Sequence, residues 1–184
     1  IMVLNGEIYN YVDLKKKLLL ERKIDSFKGH SDTEALLEYV AAYGFESALN
    51  ASIGMFAVGV YDRQEKTFFL GRDRIGEKPL YYGFVGNYFV FASDIGCIYD
   101  FSEQKLDMDR DALTLFFLNG YIPAPYTIYK GIWKMEAGSI IEITKPYEKI
   151  RTYKYWDIMK VAEYGLSHRF RGTETEATEE LERL

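Results

Sequence analysis

Four residues have side-chain or backbone groups of the types and spacing that can bind a polar ligand. Asn5, Gly6 and Glu7 follow four apolar residues, and Asp32 stands at the start of a helix-like segment. A side-chain amide beside a glycine N–H presents two neutral donors, which can stabilise negative charge developing on an oxygen. Each residue also has a structural explanation, since Asn-Gly favours a turn and an acid in a first helical turn complements the helix dipole.

The other candidate nucleophiles and metal ligands are few. Cys97 is the only cysteine, so no internal disulfide can form, and a reducing cytosol suits the chain. The two histidines, His30 and His168, lie too far apart in the sequence to predict a Cys/His metal cluster. We interpret Cys97 as a small buried hydrophobic residue and His30 as structural rather than catalytic.

The composition and net charge of the chain argue against several classes of protein. The 184 residues fit one domain, and 48% apolar with 28% charged residues is ordinary for a soluble globular chain. The net charge of −5 argues against a nucleic-acid surface. No stretch approaches the roughly 18 apolar residues of a membrane span, and no signal peptide is visible. We therefore expect a cytoplasmic protein without nucleic-acid or membrane partners, for which a homodimer remains an open possibility.

Two helices are predicted in the first quarter of the chain. After a strand over residues 1–4, Asn10 is a candidate N-cap for a helix that continues to about Arg22. Ser31 and Glu34 form an S-x-x-E capping box for a second helix, which Gly44 ends.

The middle of the chain predicts strands. "GMFAVGVYD" and "TFFLGRD" flank a hairpin loop, and "LYYGFVGNYFVFAS" is a hairpin that turns at Gly86-Asn87. These strands are almost continuously apolar, so we expect both sheet faces to be covered. "RDRIGEKPLYY" predicts a buried, salt-bridged corner between strands. A short helix is predicted from Asp94, and a longer one in "DRDALTLFFLNG" ends at Gly120. Another strand pair follows the loop built on Pro123 and Pro125.

Six segments together resemble one family. "NGEIYNY", "SDTEALL", "GMFAVGVYD", "RDRIGEKPLYY", "FAS" and "GYIPAPYTIYKGI" occur in family-like order, and over residues 1–157 they are similar to the glutaminase domain of glutamine-dependent asparagine synthetases, a class II glutamine amidotransferase. Two positions depart from the usual pattern: Ile75, where the family usually has an aromatic residue, and Glu77, where it usually has an apolar one. The resemblance implies an α+β fold, a four-layer α/β/β/α sandwich of the N-terminal-nucleophile hydrolase type, here lacking its first strands.

The resemblance also implies roles for residues. Asn5 and Gly6 would form the oxyanion hole, and Glu7 and Asp32 would hold the α-ammonium of glutamine. The family's nucleophile is a cysteine at the first position of the mature chain, which uses its own α-amine as the base. This cysteine, and an arginine that pairs with the glutamine carboxylate, would lie upstream of Asn5. Ammonia would pass to a C-terminal synthetase domain that uses ATP and Mg²⁺, whereas the glutaminase domain itself would need no cofactor.

These implications give a domain assignment and an activity prediction. Residues 1–157 would be the glutaminase domain and residues 158–184 a linker, since "GTETEATEELERL" lacks a core pattern. We expect this polypeptide alone to be catalytically incompetent. Two alternatives stay open: the glutaminase half of an amidotransferase with a sugar or other carboxylate acceptor, and a non-catalytic regulatory module.

Overall fold

A computed structural model describes residues 1–144 and 149–183 of the chain. Its strands are β1 (Met2–Ile8), β2 (Gly54–Asp62), β3 (Thr67–Arg72), β4 (Tyr81–Val85), β5 (Tyr88–Ala92), β6 (Ile132–Lys134), β7 (Ser139–Thr144) and β8 (Lys149–Lys154). Its helices are α1 (Tyr11–Leu20), α2 (Asp32–Tyr43), α3 (Phe45–Ala51), α4 (Ile95–Phe101), α5 (Arg110–Asn119), α6 (Ile158–Ser167) and α7 (Glu174–Arg183). No helix within the described residues is long and apolar enough to cross a membrane.

The strands form two antiparallel sheets. One has five strands in the order β1-β2-β3-β7-β8, and the other has three in the order β5-β4-β6. Both hairpins predicted from the sequence are present, the second turning at Gly86-Asn87 as expected. Two strands follow the proline loop, as predicted, but they do not pair with each other: β6 joins β4 in the small sheet, whereas β7 joins β3 and β8 in the large one.

The sheets stack between two helical layers, which confirms the four-layer α/β/β/α fold. One core cluster joins Leu18 of α1, Leu36 of α2 and Leu49 of α3 to one face of the large sheet, including Phe56. A second cluster fills the space between the sheets and is rich in phenylalanine. On the far side of the small sheet, α4 packs against β5. Both faces of the large sheet are thus covered, which explains its apolar strands.

The corner between β3 and β4 is buried, as predicted, but hydrogen bonds rather than salt bridges hold it. The Arg72 guanidinium donates to the carbonyl oxygens of Lys78, Gly76 and Met135. The fully buried Asp73 carboxylate accepts from the N–H groups of Phe56, Glu77 and Lys78 at 2.9–3.3 Å. The ion pairs among the described residues include neither side chain, so backbone groups satisfy both charges.

Two predicted helix caps differ from the structure. Asn10 occupies the N-cap position of α1, as predicted, but its side chain makes no capping bond to that helix. Its amide instead donates to Ala51 O and accepts from Ile53 N, which fixes the end of α3 beside β1. Ser31 caps α2 as predicted, since its Oγ accepts from Glu34 N at 3.1 Å. The Glu34 carboxylate completes no capping box, because it accepts from Lys28 N and Gly29 N instead.

The last part of the chain is helical. Within residues 158–183, α6 and α7 form two helices in which no residue is buried. Three apolar side chains of α6, those of Ile158, Met159 and Leu166, are 60–66% exposed. The sequence had predicted a helix only near the end of this segment.

Candidate active site

Strand β1 places alternate side chains on opposite faces of the large sheet. Met2, Leu4 and Ile8 contact the core beneath the helices. Because side chains alternate along a strand, Asn5 and Glu7 lie on the other face, which looks toward the small sheet. The pairing of β1 with β2 runs from Met2↔Val60 to Ile8↔Gly54 without a break, so this alternation holds along the whole strand.

The Gly6 N–H points away from β2, toward the open edge of the large sheet. Ile1 and Tyr61 exchange two hydrogen bonds, at 2.8 and 2.9 Å, and antiparallel pairs alternate between bonded and non-bonded types. By that alternation, Gly6 and Phe56 form a non-bonded pair. Consistently, both backbone groups of Phe56 bond to Asp73 instead. Among the described residues no strand lies on the outer edge of β1, so the Gly6 N–H is a free donor there.

Position 6 requires glycine. Its φ of +148° is unfavourable for other residues, and a Cβ added there would lie 2.0 Å from Met55 O and 2.7 Å from the Phe56 Cα. Glycine at this position therefore allows the close approach of β2.

The side chain of Asn5 is held from the other sheet. Its Nδ2 donates to Ser93 Oγ at 2.7 Å, across 88 residues of sequence. Ser93 directly follows β5, so this bond joins the edge strand of the large sheet to the edge strand of the small one.

Asp32 joins the start of α2 to the end of β1. Its Oδ2 accepts from the Ile8 N–H at 2.9 Å, and its Oδ1 accepts from Thr33 N at 2.7 Å. The Ile8 N–H points toward the same open edge as that of Gly6, because both residues belong to non-bonded pairs of the ladder. The two acids, Glu7 and Asp32, thereby come to the same end of β1.

All four residues predicted from the sequence line one cleft. Its volume is about 460 Å³, within the range of about 300–1,000 Å³ that is typical of small-molecule sites. Its lining consists of Asn5, Gly6, Glu7, Ile8, Tyr11, His30, Ser31, Asp32, Met55 and Lys78. The cleft therefore combines two carboxylates, a free backbone donor and a side-chain amide.

Sequence reasoning missed Lys78 as a residue of this cleft. It lies in "RDRIGEKPLYY", which we interpreted as a structural corner, and that corner is what brings it here: Lys78 N donates to Asp73, which in turn bonds to Phe56 beside Gly6. The charge of Lys78 is opposite to that of Glu7 and Asp32, so the cleft offers both signs to a zwitterion. The local sequence of this corner does not indicate which cleft the Lys78 side chain reaches, because that depends on how the corner packs against β2.

The loop before Asp32 is fixed by Glu34. Its carboxylate accepts from Lys28 N at 2.7 Å and Gly29 N at 2.8 Å. The hydrogen bond from Lys28 N is the main cause that lowers the pKa of Glu34, followed in the same direction by Gly29 N and nearby lysines. The ionised carboxylate thus orders the backbone that leads to His30 and Asp32.

The prediction that Cys97 is buried is wrong. Its side chain is exposed on α4, where it shares a groove with Tyr88 and Phe101. The cleft that contains Asn5, Gly6, Glu7 and Asp32 is called the Asn5–Asp32 cleft below, and its lining shares no residue with that groove. A helix of two turns on the outer layer presents one face to the core, and Ile98 rather than Cys97 occupies it.

Comparisons with known proteins find similar sequences. Residues 1–156 match the family described as "Glutamine amidotransferase domain". A protein of Methanocaldococcus jannaschii named "Putative asparagine synthetase (glutamine-hydrolyzing) 2" is 38% identical over 160 residues, which are 86% of this chain and 30% of that protein. Asparagine synthetase (glutamine-hydrolyzing) 3 of Bacillus subtilis is 32% identical over 85% of this chain and 25% of its own length. The chain thus spans less than a third of either relative.

A solved structure shares the fold. Glutamine phosphoribosylpyrophosphate amidotransferase from B. subtilis superposes with a TM-score of 0.58 at 20% identity, over 84% of this chain and 28% of that one. This likeness confirms the predicted fold class.

Proposed function

The chain belongs to the glutamine amidotransferase domain family, and on that premise we propose that it is the glutaminase half of a glutamine-hydrolysing asparagine synthetase. One observation carries the proposal: a free backbone donor at Gly6 and the Asn5 amide share a cleft with the carboxylates of Glu7 and Asp32. The names of the curated relatives, which state both asparagine synthesis and glutamine hydrolysis, support the same assignment.

In this proposal the ends of glutamine bind by charge and hydrogen bonding. Glu7 and Asp32 accept hydrogen bonds from the α-ammonium group, and such charge-assisted bonds are worth about 1.5–3 kcal/mol each. The Asp32 carboxylate is already oriented by Ile8 N and Thr33 N, so binding requires little reorganisation. The amide carbonyl oxygen of the substrate then lies against Gly6 N–H and Asn5 Nδ2.

The reaction consumes water and yields glutamate and ammonia. We assign the attack on the amide carbon to a cysteine thiol that carries a free α-amine, as the family resemblance implies. That attack converts the carbonyl oxygen to an oxyanion, which Asn5 and Gly6 stabilise by hydrogen bonds that strengthen as the charge develops. Protonation of the nitrogen releases ammonia and leaves a thioester, and water then hydrolyses the thioester to glutamate.

The acceptor half of the reaction is assigned to the part of the relatives that this chain does not span. There we propose that ATP and Mg²⁺ act in the amidation of aspartate by the released ammonia, while the glutaminase cleft itself needs no cofactor. We propose residue 157 as the boundary between the halves, and the absence of buried residues in α6 and α7 supports this choice. A cytoplasmic location and a homodimer belong to the same proposal, and light scattering on the purified protein measures the latter.

An isotope experiment tests the function. The protein expressed from the complete reading frame that contains this sequence is incubated with glutamine labelled with ¹⁵N at its amide, and the products are separated by mass spectrometry. We expect glutamate and ¹⁵N-ammonia from glutamine alone, and ¹⁵N-asparagine when aspartate, ATP and Mg²⁺ are added. If the ¹⁵N-labelled glutamine is recovered unchanged and no ammonia forms, the glutaminase assignment is wrong.

The same experiment separates the alternatives. Ammonia release without labelled asparagine would indicate an amidotransferase with a different acceptor. The shared fold of phosphoribosylpyrophosphate amidotransferase is the observation that keeps this candidate open. Neither ammonia nor asparagine, together with a folded protein, would indicate a non-catalytic module.

A further inference from the structure

We propose that Ser93 is a positioning residue for the reaction, which holds the carboxamide of Asn5 with Nδ2 directed at the oxyanion. The inference rests on the proposed glutaminase function. It depends on a single contact that crosses between the two sheets, from Asn5 Nδ2 to Ser93 Oγ at 2.7 Å.

The backbone on both sides of Ser93 is fixed. Ala92 is the last residue of β5 and pairs with Tyr81. Asp94 caps α4, because its Oδ1 accepts from Gly96 N at 2.7 Å. Ser93 therefore stands between a strand and a helix that both belong to the scaffold, and its hydroxyl is presented to Asn5 from a defined position.

A hydrogen-bonded partner limits the rotation of an asparagine carboxamide, and here Ser93 Oγ accepts from Asn5 Nδ2. The terminal torsion of the carboxamide is soft, and rotation by half a turn exchanges the donor Nδ2 for the acceptor Oδ1. An acceptor facing a developing oxyanion repels it, so only one of the two orientations is productive. Nδ2 carries two hydrogens, and one of them is bonded to Ser93 while the second remains for the substrate.

The groove beside this contact explains why the orientation would otherwise be weakly defined. Its lining is mostly apolar and includes Val3, Leu80 and Phe91 as well as Asn5 and Ser93. Of the residues that line it, Ser93 is the one whose side chain carries a hydroxyl. The contact therefore depends on that single oxygen.

The test compares Ser93→Ala and Ser93→Thr in the protein from the complete reading frame, with glutamate release as the assay. Loss of one neutral hydrogen bond predicts a kcat about 3- to 10-fold lower for Ser93→Ala, with the KM for glutamine within about 2-fold of the wild-type value. Ser93→Thr keeps the Oγ and should restore kcat. Ser102→Ala, which removes a hydroxyl bonded to Tyr99 O at the other end of α4, is the matched control and should leave kcat unchanged.

A double mutant separates positioning from general damage. In the Asn5→Ala background the Ser93→Ala change should lower kcat no further, because the group that Ser93 orients is gone. An unchanged kcat in Ser93→Ala, or equal losses with and without Asn5, overturns the inference. If the wild-type protein releases no glutamate, the proposed function itself is wrong and the positioning role fails with it.

Discussion

The Asp32 carboxylate lies 2.9 Å from the Ile8 N–H, so the first residue of α2 is bonded to the last residue of β1. This bond joins two parts of the chain that each supply one acid to the cleft. It also explains how Asp32 can have both a structural and a binding role, since one of its oxygens bonds to Ile8 while lone pairs remain for a ligand.

The double role of Asp32 predicts a separation between binding and stability. Asp32→Asn keeps an oxygen that can accept from Ile8 N, but it loses the negative charge and the second oxygen, which accepts from Thr33 N. We expect the KM for glutamine to rise about 10- to 100-fold, as for the loss of a charge-assisted hydrogen bond, while the melting temperature falls by only about 2–4 °C, as for the loss of one neutral hydrogen bond. Asp25→Asn, at an exposed carboxylate outside the cleft, is the control. Equal KM values for the two variants would show that Asp32 does not bind the substrate.

Replacement of Gly6 by alanine should destabilise the fold. The added Cβ would clash with Met55 O, and the backbone cannot relax easily because β1 and β2 are paired on both sides of this position. We expect a loss of about 2 kcal/mol or more in the free energy of unfolding, measured by urea denaturation.

Gly86→Ala is the matched control for that experiment. Gly86 also has a positive φ, of +59°, but a Cβ there would meet no atom within 4 Å. Its cost should be only the roughly 1–2 kcal/mol of a left-handed backbone. If Gly86→Ala were as damaging as Gly6→Ala, strain rather than the close approach of β2 would explain the glycine at position 6.

Glu34 should make stability depend on pH in the acid range. Its pKa in the folded protein is lowered, chiefly by the hydrogen bond from Lys28 N. A depressed pKa stabilises the fold fully above the unfolded-state pKa of about 4.3, and this contribution is lost as the pH falls through the folded-state pKa. Glu34→Gln should therefore be less stable than the wild type at pH 7, and the difference should shrink below about pH 4. Urea unfolding at a series of pH values measures it, and a difference independent of pH would contradict this role.

Cys97 should be dispensable for catalysis. Its thiol is exposed on α4 in a groove that shares no lining residue with the Asn5–Asp32 cleft. Cys97→Ser should therefore leave the kcat for glutamate release unchanged, within experimental error. A large loss of activity in this variant would make Cys97 the nucleophile and remove the need for a cysteine elsewhere.

The sequence correctly predicted those features of the fold that depend on local residue patterns. Apolar continuity correctly indicated a large sheet covered on both faces, and Gly86-Asn87 correctly placed a hairpin turn. The side-chain partners of Asn10 and Glu34 were wrong because both residues bond to segments that are distant or irregular rather than to their own helices. Local propensity carries no information on such contacts.

Prediction of the candidate site from the sequence was likewise limited to residues in local motifs. Asn5, Gly6, Glu7 and Asp32 were found from the sequence because they lie in motifs, and all four line the cleft. Lys78 and Ser93 were missed, since each reaches the site through the packing of the β3–β4 corner or the stacking of two sheets. Cys97 was placed in the core because a lone cysteine is usually buried, whereas its position on α4 faces outward.

The most direct test of the proposed site is the kcat for glutamate release by Asn5→Ala, measured beside the wild type in the protein from the complete reading frame. Removal of one oxyanion donor predicts a kcat about 10²- to 10³-fold lower, with the KM for glutamine changed by no more than a few-fold, because the donor acts mainly in the transition state. A kcat equal to that of the wild type would contradict the assignment of Asn5 and its cleft to amide hydrolysis.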